Sequence, residues 1–151
     1  MRLLIFYIVV FITIFNPASS IAETLAVKFQ NLNLRSGPGE KYSVKCVYSK
    51  GFPLKVVGKK GDWVRVTDFE NEDGWVSRQL LATTPHAIIA ANRGKKKKVN
   101  IRSGPGNKFN IVGQAYYGVI FTVLDKKGQW RKIRHGSGVT GWIQKDFLWG
   151  I

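Results

Sequence analysis

The stretch NLRSGPG at residues 33–39 returns as NIRSGPG at residues 100–106, an offset of 67 residues. The same offset relates further glycines and tryptophans, namely Gly51 and Gly118, Trp63 and Trp130, and GWV at 74–76 and GWI at 141–143. No gap is required between Leu32 and Leu81, and apolar positions mostly stay apolar in the second copy. Self-similarity at a fixed period predicts two copies of one structural unit.

Each copy consists of short runs rich in β-branched and aromatic residues, separated by Gly, Pro, Asn or Asp. In the first copy the predicted strands are Leu32–Arg35, Val44–Tyr48, Pro53–Val57, Trp63–Thr67 and Gly74–Ser77. Residues 25–29 and 87–91 predict an extra leading strand in each copy. We therefore expect an all-β fold built from two small antiparallel barrels or sandwiches. A unit of about 60 residues is marginal alone, which favours packing between the copies.

The first residues have the layout of a secretory signal peptide. Met1-Arg2 is a positive start, residues 3–15 are apolar, and small residues at 20 and 22 suit cleavage after Ala22. Thirteen apolar residues are fewer than the ~20 that span a bilayer. We expect a signal peptide at 1–22, domains at 23–82 and 83–151, and export to the periplasm, the cell envelope or the medium. An uncleaved N-terminal anchor is the alternative.

The chain is strongly basic, with 24 Lys and Arg against 9 Asp and Glu, a net charge of +15. The net charge is +4 over residues 28–82, +5 over 83–98 and +6 over 99–151. Anionic partners are the electrostatic expectation for such a protein. Most of the excess positive charge lies in the second half of the chain. This half contains the lysine run Lys95, Lys96, Lys97 and Lys98, which is predicted to lie in a turn.

Four ordered motifs occur in both copies: an Asn-hydrophobic-Arg-Ser-Gly-Pro-Gly turn, Gly-x-x-hydrophobic-x-Val, Gly-x-Trp-x-x-Val/Ile, and Gly-Trp-Val/Ile. In these motifs the sequence resembles the bacterial Src-homology-3-like domain family. The resemblance covers nearly all of residues 23–151. It implies two tandem small barrels of five or six strands, an exported location and a non-catalytic role at the cell envelope. Family members often accompany wall amidases and endopeptidases as targeting modules.

The RSGPG turns are predicted to be architectural, because glycine permits a positive φ and proline restricts the turn. They do not predict a phosphate cradle, since no helix N-terminus and no Lys-Ser/Thr follows. Polyproline binding is not expected either, because neither copy contains an Ala-Leu-Tyr-Asp-Tyr-type stretch.

Trp63 and Trp130 are the predicted ligand-binding aromatics. Each lies three residues before an apolar position, Val66 or Ile133, which breaks strand alternation and indicates a bulge or a strand start. The alternative is that the tryptophans plug the ends of the barrel cores. Together with the neighbouring cations, the exposed ring is expected to offer an apolar face and positive charge to an acidic peptide or a sugar; these cations are Arg65, Arg131, Lys132 and Arg134.

The predicted basic patch combines the lysine run with Lys126 and Lys127. Anionic lipid, wall polymer or nucleic acid would suit it. Export and the lack of interleaved aromatics argue against nucleic acid. Alternatively, the lysine run is a solvated turn with no binding role.

No catalytic or metal-binding set emerges from the sequence. The acidic residues from Asp68 to Asp73 fail the calcium-loop pattern, which requires Gly at position six and Glu at position twelve, and a charge-balancing hairpin loop is the better interpretation. Cys46 is the one cysteine and has no counterpart in the second copy. We therefore do not expect a catalytic dyad of Cys46 with His86. An exposed Cys46 would be able to pair with another chain in an oxidising compartment, although its place in the strand-like run at 44–48 favours a buried thiol.

The sequence predicts a non-enzymatic exported protein, without cofactor or metal, that recognises a wall component or an envelope protein. A purely electrostatic adhesion protein for an anionic membrane surface or polymer is the alternative. The ligand, the copy that binds it and the oligomeric state stay open.

Overall fold

The computed structural model describes residues 23–151, so the predicted signal peptide at 1–22 lies outside the described residues. Each sequence copy forms one antiparallel seven-stranded sheet, repeat 1 and repeat 2. The strands of repeat 1 are β1 Thr24–Val27, β2 Leu32–Arg35, β3 Val44–Tyr48, β4 Pro53–Lys60, β5 Trp63–Thr67, β6 Asp73–Ser77 and β7 Leu81–Ala82. Those of repeat 2 are β8 His86–Ile89, β9 Val99–Arg102, β10 Ile111–Ala115, β11 Ile120–Lys127, β12 Trp130–Arg134, β13 Thr140–Gln144 and β14 Leu148–Trp149.

Both sheets have the same strand order. It is β3-β2-β6-β5-β4-β1-β7 in repeat 1 and β10-β9-β13-β12-β11-β8-β14 in repeat 2. The two-residue strands β7 and β14 follow 3-10 turns at Arg78–Leu80 and Lys145–Phe147, and they pair with the leading strands β1 and β8. The all-β prediction is confirmed, although each sheet has seven strands where the resemblance implied five or six.

The long strands β4 and β11 each contain a register shift. It falls between Val56 and Gly58 in β4 and between Val123 and Asp125 in β11. A bulge inserts one residue and increases the local twist, which lets an eight-residue strand follow the curvature of a small sheet. This explains why β4 continues to Lys60, three residues beyond its predicted end.

Each repeat has its own apolar core on the inner face of its sheet. In repeat 1 the fully buried residues include Leu34, Leu54 and Val66, and in repeat 2 they include Phe121 and Ile133. The alternation of buried and exposed side chains along β2 and β5 is the period of two expected for a strand with one face in the core.

The RSGPG turns are held by their arginines. Nη1 of Arg35 donates to the carbonyl oxygens of Glu40 at 2.9 Å and Tyr42 at 2.8 Å. Nη1 of Arg102 likewise donates to the carbonyl oxygen of Phe109 at 2.9 Å. Each guanidinium therefore ties the end of its strand to the far side of the turn that follows.

The glycines of the RSGPG turns are required mainly because an aromatic ring packs closely against them, and not because they adopt a positive φ. A Cβ at Gly37 would overlap the ring of Tyr42, and a Cβ at Gly104 would overlap the ring of Phe109. Of the four motif glycines only Gly39 has a positive φ, 156°. The expectation that these glycines serve by adopting positive φ was therefore largely wrong, because an aromatic ring lies against them.

The two repeats contact each other, as their small cores favoured. The rings of Phe69 and Tyr117 lie 5.1 Å apart, and the Tyr117 hydroxyl donates to Oε1 of Glu70 at 2.7 Å. Arg93 pairs with the same carboxylate at 3.2 Å. Burial and the hydrogen bond to Glu70 raise the pKa of Tyr117, so the hydroxyl stays a donor at neutral pH. None of the helices within 23–151 has the length and apolar character needed to cross a bilayer.

Candidate functional site

Trp63 and Trp130 open the equivalent strands β5 and β12. Each ring is half-buried, and each stands directly opposite a polar residue of the next strand, Ser77 for Trp63 and Gln144 for Trp130. Residues directly opposite each other in an antiparallel pair present their side chains on the same face. Both rings are therefore open to solvent on one side and fixed to the sheet on the other.

Each tryptophan lines a surface groove, named here groove 1 in repeat 1 and groove 2 in repeat 2. Groove 1 has a volume of about 470 Å³ and is lined by Asn31, Leu32, Asn33, Arg35, Glu40, Asp62, Trp63, Ser77, Gln79 and Leu80. Groove 2 has a volume of about 220 Å³ and is lined by Asn92, Lys97, Lys98, Val99, Asn100, Arg102, Asn107, Trp130, Gln144 and Phe147.

The two grooves are the same site in two copies. Eight lining positions of one groove correspond to lining positions of the other at the 67-residue offset. The correspondence includes the tryptophan, the arginine of the RSGPG turn and one asparagine, which are identical in both copies: Trp63 and Trp130, Arg35 and Arg102, and Asn33 and Asn100. The remaining shared positions keep an apolar residue beside polar ones.

Strands supply half of the lining residues of each groove, among them the tryptophan and the arginine. In repeat 2 the ring of Trp130 comes from β12, Gln144 from β13 and Arg102 from β9. Arg102 is held by the Phe109 carbonyl, and Oδ1 of Asn100 accepts a hydrogen bond from Nε2 of Gln114 at 2.8 Å. A site held in this way offers a flat apolar face, amides and a guanidinium in a nearly fixed arrangement.

The predicted partners of the tryptophans lie elsewhere. Arg65 does not line groove 1: it donates to Oδ2 of Asp73 through Nε at 3.1 Å and Nη2 at 2.5 Å. This contact holds the pKa of Asp73 below its usual range. The cation that does reach groove 1 is Arg35, which the sequence assigned to architecture alone.

The predicted cations of repeat 2 are likewise dispersed. Arg131 occupies the position of buried Val64 and donates to the carbonyl oxygens of Gly128 and Trp130 at 2.9 and 3.0 Å. Lys132 stands opposite Asp125, and Arg134 borders a different cleft together with His86 and His135. None of these three lines groove 2.

The lysine run lies in the connection between β8 and β9, as expected for a turn. Lys97 and Lys98 line groove 2, whereas Lys95 and Lys96 are exposed in the same turn and do not. Of the other predicted patch residues, Lys127 stands opposite Trp130 and Lys126 opposite Arg131, so their side chains emerge on opposite faces of the sheet.

The acidic stretch from Asp68 to Asp73 is a self-capped loop. Oδ1 of buried Asp68 accepts hydrogen bonds from the backbone N–H groups of Glu70 and Glu72, each at 2.9 Å, and Oδ2 accepts one from the Tyr48 hydroxyl at 2.9 Å. Within 23–151, no group of three or more His, Cys, Asp or Glu side chains is placed to hold a metal ion.

Cys46 is half-buried on β3. Burial raises the pKa of its thiol, which lowers the fraction of reactive thiolate at neutral pH. Cys46 borders the cleft between the repeats near Tyr48 and Phe69, whereas His86 borders another cleft.

Sequence reasoning missed several groove residues: Asn33, Asn100, Asn107, Gln144 and Phe147. The asparagines before the RSGPG arginines carried a signal, because the same polar residue recurs in both copies inside an otherwise apolar strand. Gln144 and Phe147 carried no such signal, since the residues at the equivalent positions, Ser77 and Leu80, are not identical to them.

Comparison with known proteins places this geometry in context. A family model described as bacterial SH3 domain matches twice, at residues 28–82 and 95–150. YrvJ of Bacillus subtilis (strain 168), whose name describes an N-acetylmuramoyl-L-alanine amidase, is 27% identical over 140 residues, which are 89% of this chain and 27% of YrvJ. LytH of Staphylococcus aureus, whose name describes a cell wall amidase, is 41% identical over 49 residues, 32% of this chain and 17% of LytH.

Among solved structures, an NlpC/P60 family protein from Bacillus cereus ATCC 10987 matches with a TM-score of 0.38 and 15% identity. The match covers 84% of this chain and 56% of that protein. The chain thus spans about a quarter of the length of the first of these curated relatives and about half of the structural neighbour.

The prediction that the chain is not an enzyme is corrected by these comparisons. The relatives YrvJ and LytH are named as amidases, which are enzymes, so the comparisons do not support a non-enzymatic assignment. That prediction was made because no catalytic set is recognisable in the sequence and because similar domains act as targeting modules. With two matched regions that together cover most of its length, the chain belongs to the bacterial SH3 domain family.

Proposed function

We propose that the chain acts at the cell wall and binds a wall component through grooves 1 and 2. The observation that carries the proposal is the duplicated groove, in which the half-buried tryptophan, the turn arginine and the strand asparagine recur at equivalent positions. Two copies of one fold need to share the apolar residues of their cores. Polar, solvent-facing residues that recur at equivalent positions are instead the pattern expected of a binding site.

The groove chemistry suits a polymer of sugars and short peptides. A tryptophan face offers apolar area that a sugar ring or a peptide backbone covers, and the rim amides pair with hydroxyl and carbonyl groups. Two grooves on one chain also permit simultaneous engagement of a repetitive polymer, which raises the apparent affinity without new contacts.

The names of the relatives indicate the process in which wall binding takes part. We propose that wall binding by the chain accompanies amidase chemistry of the kind for which YrvJ and LytH are named, and that the protein lies in the cell envelope. Attachment to the polymer keeps hydrolytic chemistry at a high effective concentration of its substrate.

A second candidate is electrostatic adhesion to an anionic membrane surface or polymer without a shaped groove. The net charge of +15 and the exposed lysine turn favour it. The two candidates respond differently to salt, because salt screens exposed charges and spares apolar contacts.

The test is co-sedimentation of the purified chain with cell-wall sacculi, at physiological salt and at several-fold higher salt. We expect binding that survives high salt and weakens by about tenfold or more in Trp63→Ala and Trp130→Ala combined. Trp149→Ala is the matched control, because Trp149 is half-buried but lines neither groove. Binding that disappears on adding salt, or that is equal in all variants, would refute the groove proposal.

A further inference from the structure

The two grooves share a framework but differ in charge. Groove 1 contains one cation, Arg35, together with the carboxylates of Glu40 and Asp62. Groove 2 contains three cations, Lys97, Lys98 and Arg102, and no carboxylate lines it among residues 23–151. Groove 1 is therefore an internal reference for groove 2: the effect of the groove charge on binding can be compared within one chain and under the same solvent conditions.

We propose that groove 2 binds an anionic group of the wall ligand, a carboxylate or a phosphate, and that groove 1 does not. This inference rests on the proposed function of the grooves as wall-binding sites. It adds which repeat selects charge and which chemical class that repeat accepts.

The charge difference arises at equivalent positions. Glu40 of groove 1 corresponds to Asn107 of groove 2, so a carboxylate is replaced by an amide. Asn31 corresponds to Lys98, so an amide is replaced by an ammonium. Both substitutions change the potential of groove 2 in the positive direction, while the tryptophan and the arginine are unchanged.

A longer connection supplies the remaining cation. The segment between β1 and β2 is residues 28–31, whereas the segment between β8 and β9 is residues 90–98, five residues longer. This longer turn brings Asn92 and Lys97 to the rim of groove 2. The insertion therefore alters the site itself and is not confined to a distant surface.

The two groove lysines are available to a ligand. The ion pairs of the described chain involve Lys45, Arg65 and Arg93, not Lys97 or Lys98. The Lys98 ammonium lies 5.0 Å from the centre of the Tyr116 ring, an exposed contact that a desolvated anion would outcompete. Ammonium groups donate only, so an anionic acceptor is the group that satisfies them.

The volume of groove 2, about 220 Å³ against about 470 Å³ for groove 1, suits one charged group next to the tryptophan face. A ligand that places its apolar side on Trp130 would direct a carboxylate or phosphate toward Lys97 and Lys98. Arg102 already donates through one nitrogen to the turn, and its remaining donors suit the same ligand chemistry.

The test compares two variants of equal charge in the full chain. Lys97→Gln/Lys98→Gln neutralises the groove lysines, and Lys95→Gln/Lys96→Gln removes the same charge from the same turn outside the groove. Binding to untreated sacculi is measured at physiological salt. We expect an increase in Kd of about tenfold for the first variant and about twofold or less for the second.

Two treated sacculi identify the source of the anion. Sacculi stripped of phosphate polymers with hydrofluoric acid retain carboxylates, and sacculi whose carboxylates are amidated with carbodiimide retain phosphates. If the ligand is a carboxylate, the effect of Lys97→Gln/Lys98→Gln persists after stripping and disappears after amidation. The reverse pattern identifies a phosphate.

The outcomes separate this inference from the proposed function. Equal weakening by both lysine pairs, while Trp63→Ala/Trp130→Ala still weakens binding, would overturn the anion selectivity and leave the grooves as wall sites. Equal weakening with no tryptophan effect would overturn both. A carboxylate or phosphate dependence that follows Lys97 and Lys98 alone confirms the assignment to groove 2.

Discussion

At the scale of single residues, one buried carboxylate organises the acidic loop of repeat 1. Asp68 is 7% exposed, and both of its oxygens accept hydrogen bonds, from two backbone N–H groups and from the Tyr48 hydroxyl. Tyr48 is itself 5% exposed, and its burial, together with the neighbouring thiol and carboxylate, raises its pKa strongly. A buried acceptor that loses its donor incurs the desolvation penalty in full.

We predict that Tyr48→Phe lowers the free energy of unfolding by about 1–3 kcal/mol, because Asp68 Oδ2 loses its donor in a buried site. Urea denaturation at neutral pH measures the change. Tyr42→Phe is the control, since the hydroxyl of that half-buried ring makes no hydrogen bond within residues 23–151.

The same pair of proteins tests the pH dependence. The pKa of folded Tyr48 is raised, so the unfolded state loses its proton first, and this part of the stability is present below about pH 10 and is lost as the pH rises beyond it. The stability of the wild type should therefore fall more steeply above pH 10 than that of Tyr48→Phe. Parallel pH profiles would contradict the assignment.

At the scale of elements, the RSGPG turn combines a guanidinium tether with a ring packed on glycine. The tether of Arg35 spans the turn to Tyr42, whose ring excludes a side chain at Gly37. The turn in repeat 2 has the same construction with Arg102, Phe109 and Gly104. Because each turn also supplies the groove arginine, turn packing and groove geometry are linked.

We predict that Gly37→Ala and Gly104→Ala each destabilise the protein by about 1–3 kcal/mol, because the new methyl overlaps an aromatic ring. Denaturant unfolding measures both. Gly136→Ala should be nearly neutral, since a methyl group at Gly136 would have no heavy atom within 4 Å and the residue has no positive φ.

Combining Gly37→Ala with Tyr42→Ala should cost less than the sum of the two single changes, because the truncated ring no longer meets the methyl. Additive costs would show that the glycine is required by the backbone and not by the ring.

At the scale of the whole molecule, the repeats share a contact surface that joins two small cores. The aromatic series Tyr48, Phe52, Phe69 and Tyr117 runs from repeat 1 into repeat 2, with neighbouring ring centroids between 4.5 and 5.8 Å apart. Glu70 accepts from Tyr117 and pairs with Arg93 beside it. The contact fixes Arg93 in the longer β8–β9 connection, which also supplies Asn92, Lys97 and Lys98 to groove 2.

We predict a coupling energy of about 0.5–1.5 kcal/mol between Phe69 and Tyr117, measured by a double-mutant cycle of Phe69→Ala and Tyr117→Ala in urea. The cycle Phe69→Ala with Phe29→Ala is the control, since Phe29 is 55% exposed and belongs to repeat 1. A coupling energy of zero between Phe69 and Tyr117 would mean that this contact between the repeats does not stabilise the protein.

The strands, the duplication and the turns were determined by the sequence alone. Alternation along β2 and β5, the punctuation by Gly and Pro, and the 67-residue offset are local or linear properties, so they are visible in the order of the residues. The break in alternation near Trp63 and Trp130 predicted a bulge or a strand start, and in the structure β5 and β12 begin at these residues. The lysine turn was also placed correctly.

Which cation accompanies each tryptophan was decided only by the tertiary structure. Arg131 directly follows Trp130 and therefore points to the opposite face of its strand, whereas Arg65, two residues after Trp63, pairs with Asp73. Arg102, Trp130 and Gln144 lie on three strands, and they converge through pairing register that no local pattern encodes. The groove, unlike the strands that form it, is a product of long-range pairing.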